Sequence, residues 1–199
     1  MVKTINKISG KLILIIALIR IKYSASFRNK YLKSKKNIEQ SQRKNFALPI
    51  NFTTSIISIE DKRYFTHKGI DTHSIFRAIL KNITSTRIEG ASTINQQLIR
   101  NITNDRELNL KRKFNEVLLA VLIDYEFTKD EILNAYVNLY EFNTCKGISD
   151  FCKTEKYDLS KLSHFECYEL AARFKYPSIN RANYIRYLKR VRTIEIKQM

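Results

Sequence analysis

From Pro49 onward the apolar residues recur at three- and four-residue spacing and nowhere alternate, which restricts the chain to helices packed on helices. Ile75, Ile79, Leu80 and Ile83 follow Asp71-Thr72, a pair suited to cap a helix start. Phe114, Val117, Leu118, Val121, Leu122 and Tyr125 form an apolar stripe on the next long helix. Thr128-Lys129-Asp130-Glu131 is a capping box, opening a helix that carries Ile132, Leu133, Tyr136, Val137 and Tyr140. Ser163-His164-Phe165-Glu166 is a second one, opening a helix to about Phe174. Tyr184, Tyr187, Leu188, Val191 and Ile194 predict a basic amphipathic helix at the end. Four glycines and two prolines in 199 residues exclude a loop-rich or low-complexity chain, and 44% hydrophobic residues exclude a disordered polyelectrolyte. Three cysteines make no disulfide framework. Cys145 and Cys152 could pair outside the cytoplasm or stand as structural thiols. The expected fold class is all-α.

The net charge of +17 suggests a nucleic-acid binder until its distribution is read. Residues 1–45 hold twelve Lys or Arg and one acid, Glu39, and so account for +11 of it. A basic N-terminal anchor or targeting segment with its linker is therefore expected over 1–45, and a main domain over 46–199. Within the first segment, Leu12 to Ile19 is an unbroken apolar run between Lys3, Lys7, Lys11 and Arg20, Lys22. Eight residues fall short of the roughly 20 that cross a bilayer. A poor span, a signal peptide with Ser24-Ala25-Ser26 as its small residues, and an interfacial helix drawn to anionic lipid all fit the pattern. A span would leave the N-terminus cytoplasmic and the domain on the outer side.

Three polar clusters stand out against the helical pattern. In Glu60-Asp61-Lys62-Arg63-Tyr64-Phe65-Thr66-His67-Lys68-Gly69-Ile70-Asp71, Glu60 directly follows Ile56-Ile57-Ser58-Ile59. A carboxylate at the edge of a buried element loses water and becomes a competent base; otherwise Glu60 or Asp61 caps a helix or pairs with Arg63. In Gly90-Ala91-Ser92-Thr93-Ile94-Asn95-Gln96-Gln97-Leu98-Ile99-Arg100-Asn101, small residues admit a close ligand and Ser92 is the expected cap. Gln96 and Gln97 suit sugar hydroxyls, and Arg100 adds fixed charge; an ordinary capped polar helix is the alternative. In Arg112-Lys113-Phe114-Asn115-Glu116, Arg112 and Glu116 share a helix face. That basic pair suits a phosphate, held directly or through a cation on Glu116, or else forms a surface ion pair. His67, His73 and Asp71 lack metal-site spacing, and no Walker or Rossmann glycine pattern appears.

Together the clusters resemble the peptidoglycan glycosyltransferases of family 51, the monofunctional transglycosylases and the N-terminal domains of bifunctional penicillin-binding proteins. Glu60, Asp61, Phe65, His67, Gly69 and Asp71 match E-D-x-x-F-x-x-H-x-G-x-D. Gly90, Ala91, Ser92, Thr93, Ile94, Gln96, Gln97 and Asn101 match the second signature, and Arg112, Lys113 and Glu116 match R-K-x-x-E. Lys129, Ile132-Leu133 and Tyr136-Val137-Asn138 resemble a fourth, and Leu162, Glu166 and Leu170-Ala171 a later one. The resemblance covers roughly 46 to 190 and implies a lysozyme-like helical domain with an N-terminal hydrophobic anchor at a bacterial inner membrane. It implies lipid II and a lipid-linked glycan chain as substrates, other cell-wall synthases as partners, and no nucleic acid. Glu60 would be the general base, and Glu116 with Arg100, Arg112 and Lys113 would manage the pyrophosphate, with Mg²⁺ or Mn²⁺ as the expected cation. Asp61, Phe65, His67, Ser92, Thr93, Gln96, Gln97 and Asn101 would complete the substrate-binding set. With the chain ending at Met199, no transpeptidase domain is expected.

Departures from the pattern keep a second function open. Arg100 replaces the lysine of Q-Q-x-x-K-N, and Leu108 stands where many members place an arginine, with Arg106 or Lys111 as substitutes. The later glycine-rich stretch is eroded to Asn143-Thr144-Cys145-Lys146-Gly147 and Thr154-Glu155-Lys156-Tyr157, and Cys167-Tyr168 replace a double alanine. The alternative to a polymerase is a catalytically impaired relative that binds lipid II or cell-wall synthases as a scaffold.

Overall fold

A computed structural model describes residues 2–43, 48–84, 90–105, 107–142, 145–159, 161–176, 180 and 184–198. The expected domain boundary at 45/46, Arg106 and Asn143-Thr144 lie outside the described residues. The fold is all-α: no strand occurs among the described residues, and one isolated antiparallel bridge joins Glu141 to Lys146. The chain divides into two compact units, one of residues 1–43 and 63–136, the other of residues 44–62 and 137–199.

The first unit is built around α6, Leu110–Glu126. Every residue from Leu118 to Asp124 is buried, so this half of the helix is enclosed on all faces. Phe114 and Tyr125, at the ends of the expected stripe, are exposed. α1 (Val2–Tyr23), α2 (Ala25–Gln42) and α5 (Ile94–Thr103) pack on α6, and α4 (Thr72–Thr84) packs on α1. Asp71 caps α4 as expected, accepting from the Ser74 N–H at 3.2 Å. Burial alone would push the Asp71 carboxyl up, but hydrogen bonds from Arg63 and Ser74 hold it below the usual carboxylate range. Arg63 thus serves Asp71, at 2.8 Å. The expected apolar stripe of α4 is not core: Ile79, Leu80 and Ile83 are exposed and Ile75 is half-buried, with Phe76 exposed beside them.

Two further details explain the sequence of this unit. Gly69 has φ +75°, and a Cβ there would lie 2.4 Å from the Ala120 carbonyl oxygen, so only glycine fits against α6. The Gly69 carbonyl accepts from the Thr93 hydroxyl at 2.8 Å, which ties the first signature to the second. On α6 the buried Asp124 accepts from Asn95 at 2.9 Å and pairs with Lys129. The Lys129 carbonyl in turn accepts from Tyr64 at 2.6 Å.

The second unit holds α3 (Ile50–Glu60), α8 (Ile148–Glu155), α9 (His164–Arg173) and α10 (Tyr184–Gln198), with α9 packed on α3 and α10 on both. α7 (Lys129–Leu139) starts in the first unit and ends in the second. The core is aromatic: Phe142 stacks on Phe151 at 4.1 Å, and Phe174 meets Tyr140 at 4.5 Å and Phe52 at 6.1 Å. Both expected capping boxes form, Thr128 with Glu131 and Ser163 with Glu166. On α10 only Tyr187, Val191 and Ile194 of the expected stripe are buried. Gly147 survives in the eroded stretch for a backbone reason: its φ is +84°, and a Cβ would meet the Asn138 carbonyl at 2.4 Å. All three cysteines are free thiols, so the Cys145–Cys152 pairing is not formed; burial, with Cys145 nearby, pushes the Cys152 thiol up to about 12.

Candidate functional site

The second and third signatures converge in the first unit, on one carboxylate. Thr93, not Ser92, caps α5: its backbone is extended and its hydroxyl accepts from the Gln96 N–H at 3.3 Å. The cap falls one residue later than expected because the Thr93 side chain is buried between Gly69 and the helix start, whereas Ser92 lies outside the turn. Ser92 is thereby released to accept from Lys113 at 3.0 Å. Asn109 caps α6, accepting from the Arg112 N–H at 2.6 Å, and so sets the register that turns Arg112, Lys113 and Glu116 toward α5.

Glu116 is only 3% exposed and is held at both oxygens by three cations. Arg112 lies 2.5 Å from one oxygen and Lys113 2.5 Å from the other, while Arg100 reaches across from α5 to both, at 3.2 and 3.3 Å. Lys113 donates also to Gln96, at 2.7 Å, and to Ser92, so its three N–H bonds bind three different segments. The cluster carries two more positive charges than negative ones. Inside it the Arg112 Nε and, on α5, the Asn101 amide nitrogen are buried donors with no partner among the described residues. Unspent donors and surplus positive charge suit an anion with several oxygens.

A divalent cation on Glu116 does not fit these residues. The carboxylate already answers three cations, and no group of three or more His, Cys, Asp or Glu gathers among the described residues. Burial pushes the Lys113 ammonium below the ordinary lysine value; Glu116 opposes this, and Arg100 and Arg112 add to it.

Other expected residues take different places. Gln97 accepts from the Tyr136 hydroxyl at 3.0 Å, which fixes its side chain on α5. His67 is buried beside Tyr64, with ring centroids 6.2 Å apart, while Phe65 is exposed. Glu60 and Asp61 belong to the second unit. Asp61 is buried and ends α3, its N–H donating to the Ile57 carbonyl. Glu60, the last residue of α3, is half-buried, and its carboxylate pairs with Arg190 of α10.

Arg190 was not singled out by the sequence, where it is one of many bases on an amphipathic helix. Also missed were Lys30 and Arg20. Lys30, with Arg112, Asn115 and Glu116, lines a small pocket beside the cluster and pairs with Asp105 at 2.6 Å. Arg20 donates to Asn115 at 3.0 Å. No spacing rule links residues 75 to 95 positions apart, so only the folded chain reveals that the N-terminal helices brace the cation cluster.

The transglycosylase family model matches residues 28–199. The penicillin-binding protein 1A of Clostridium botulinum is 32% identical over 166 residues, covering 76% of this chain and 20% of that protein. That of Clostridium perfringens is 33% identical over 171 residues, covering 77% and 25%. A provisionally named transglycosylase of Cupriavidus necator is 38% identical over 135 residues, covering 67% and 58%. The chain therefore spans about a fifth to a quarter of the penicillin-binding relatives. With a match of this extent over the signatures whose geometry is given above, the chain belongs to the transglycosylase family.

Proposed function

We propose that the protein is a peptidoglycan glycosyltransferase that polymerises lipid II into β-1,4-linked glycan with release of undecaprenyl pyrophosphate. The observation that carries this reading is the Glu116 cluster, three cations fixed on one buried carboxylate with an unspent donor, the Arg112 Nε, among them.

Glu60 takes the proton of the acceptor's 4-hydroxyl. The freed oxygen attacks the donor's anomeric carbon with inversion, the bond from that carbon to the diphosphate oxygen breaks, and the electron pair leaves on the diphosphate. Negative charge thus grows on the leaving group, and fixed cations lower the barrier most when they need not move to meet it. Arg100, Arg112 and Lys113 would repel one another if left alone. Glu116 holds them at hydrogen-bond distance and leaves their surplus charge for the diphosphate. Gln96 and Gln97 are held by Lys113 and Tyr136 in orientations that suit sugar and amide groups. No step here runs through a metal. The lipid-linked substrates imply work at the outer face of a bacterial cytoplasmic membrane, beside other cell-wall synthases.

The test is polymerisation of purified lipid II by the detergent-solubilised full-length protein, beside Glu60→Gln. We expect glycan strands from wild type and a loss of about 10²- to 10⁴-fold in the variant, the usual contribution of a general base. Folded wild type that binds lipid II but makes no strands would overturn this reading in favour of a scaffold.

A further inference from the structure

The first half of α6 is gripped from two sides. On one side α5 holds it, with Arg100 donating to Glu116 and Gln96 accepting from Lys113. On the other side the N-terminal helices hold it. Arg20 of α1 donates from Nε to the Asn115 Oδ1 at 3.0 Å, and Lys30 of α2 pairs at 2.6 Å with Asp105, shortly before the Asn109 cap. Around the helix the side chains leave in the order Asn115, Arg112, Glu116, Lys113, with Asn115 about 60° from Arg112. The residue that α1 holds is thus the immediate flank of the cation cluster. A helix held along one flank only keeps the freedom to roll about its axis, and a roll would carry Arg112 and Lys113 sideways together. A misplacement of about 1 Å is enough to cost a site a hundredfold in rate.

Arg20 is itself fixed before it meets α6. Its carbonyl accepts from the Ser24 N–H at 2.9 Å, and Ser24 caps α2 by accepting from the Phe27 N–H at 3.3 Å. Its guanidinium lies 5.7 Å from the centroid of the buried Phe27 ring. Toward the other end of α1 the buried Asn6 accepts from the Thr72 N–H and hydroxyl of α4, at 3.1 and 2.6 Å. Among the described residues no helix is long and apolar enough to cross a membrane, and α1 is moored at both ends by polar contacts. Lys30 serves the cluster from the neighbouring position. With Asp105, Arg112 and Asn115 it lines the small pocket beside Glu116. The hydrogen bond from Lys30 holds the Asp105 carboxyl below the usual carboxylate range, and Arg112 adds to this across the pocket. Lys30 thereby occupies an acid that would otherwise compete with Glu116 for Arg112.

We propose that Arg20 is a positioning residue for the Glu116 cluster: through Asn115 it fixes the roll of α6, and so the places of Arg112 and Lys113. The consequence for turnover rests on the glycosyltransferase reading above, whereas the consequence for anion binding does not.

The test makes two measurements on the full-length protein in detergent: affinity for inorganic pyrophosphate by isothermal titration, and turnover of lipid II. Arg20→Ala is expected to weaken pyrophosphate binding about tenfold and to lower kcat about tenfold, with helicity unchanged. Asn115→Ala lies on α6 and leaves α1 intact, and it is expected to do the same. The double variant should be no worse than either single one, because the two side chains act as one contact. Arg20→Lys should recover part of the loss. Lys11→Gln, at an exposed base of the same helix, controls for charge and should change both readings less than about twofold. Wild-type affinity and kcat in folded Arg20→Ala would overturn the proposal, as would a lowered melting temperature with both readings intact. Single losses that multiply to about a hundredfold in the double variant would also overturn it, since Arg20 would then act through another group. Pyrophosphate binding that depends on Arg20 and Asn115 in a protein that makes no strands would uphold the proposal and sink the glycosyltransferase reading alone. Wild type that neither binds pyrophosphate nor polymerises would overturn both.

Discussion

Two glutamates, one in each unit, meet arginine in different ways. Glu116 lies at the centre of the first unit with both oxygens occupied by Arg100, Arg112 and Lys113. Glu60 ends a helix of the second unit, half-buried, beside Arg190. A carboxylate held by three cations has both oxygens taken and cannot turn to a substrate without stranding their charge in a buried site. It is a good organiser of charge for the same reason. A carboxylate at a helix end, partly open to solvent, can exchange its partner for a substrate hydroxyl. The same side chain thus serves two purposes, and the environment decides which.

The largest effect that separates the two should come from charge removal. Glu60→Gln keeps shape and removes basicity. It should abolish turnover by the 10²- to 10⁴-fold given above while changing the melting temperature little, because the carboxylate is partly solvated. Glu116→Gln should behave in the opposite sense. Breaking a buried ion pair costs about 3–5 kcal/mol, and with Arg100 and Lys113 each about a third exposed the loss should fall at the low end of that range. A lowered urea midpoint in Glu116→Gln, with none in Glu60→Gln, would confirm the division. Equal destabilisation in both would break it.

The legibility of these features follows the range of the interactions that make them. Capping boxes at Thr128 and Ser163 were readable because both partners lie within one turn. The Arg112–Glu116 pair was readable for the same reason, at i,i+4. Burial was not. Periodicity located the stripe of α4 but not its direction, and Ile79, Leu80 and Ile83 face outward because Ala78 is the residue of that helix that packs inward. The run Leu12–Ile19 read only as apolar because hydropathy counts residues without their faces; folded, Ala17 is buried, Ile13 and Leu14 are half-buried, and the other five are exposed. Arg190 was unreadable in principle, since Glu60 lies 130 residues away and the arginine is one of four Lys or Arg between residues 186 and 192.

Arg190 offers a sharper probe of the second unit. Its guanidinium holds the Glu60 carboxylate by a direct hydrogen bond, which makes it a positioning residue for the proposed base. Arg190→Ala should lower kcat about tenfold, the cost of losing one charge-assisted hydrogen bond of roughly 1.5 kcal/mol, with KM nearly unchanged. Arg190→Lys should recover part of that. Built onto Glu60→Gln, the Arg190→Ala change should cost almost nothing more, because its effect passes through the carboxylate. A full additional tenfold in the double variant would show that Arg190 acts on something other than Glu60.

The smallest effect concerns pH and tests the first unit alone. The native Lys113 ammonium sits below the ordinary lysine value, chiefly because it is buried. In the window between the lowered native value and the ordinary one, the unfolded chain binds more protons than the native one. Stability contributed by this group should therefore rise as pH climbs through that alkaline window. Activity should move the other way, since loss of the Lys113 proton removes one of the charges that would meet the diphosphate. The two trends come from one proton: activity should fall about the lowered native value, where the rise in stability begins. Lys113→Arg keeps the charge and does not titrate there, so both trends should flatten, at some cost in basal rate from the lost fit to Ser92 and Gln96. An alkaline fall in activity that persists unchanged in Lys113→Arg would assign it to another group and leave Lys113 as a structural tie between α5 and α6.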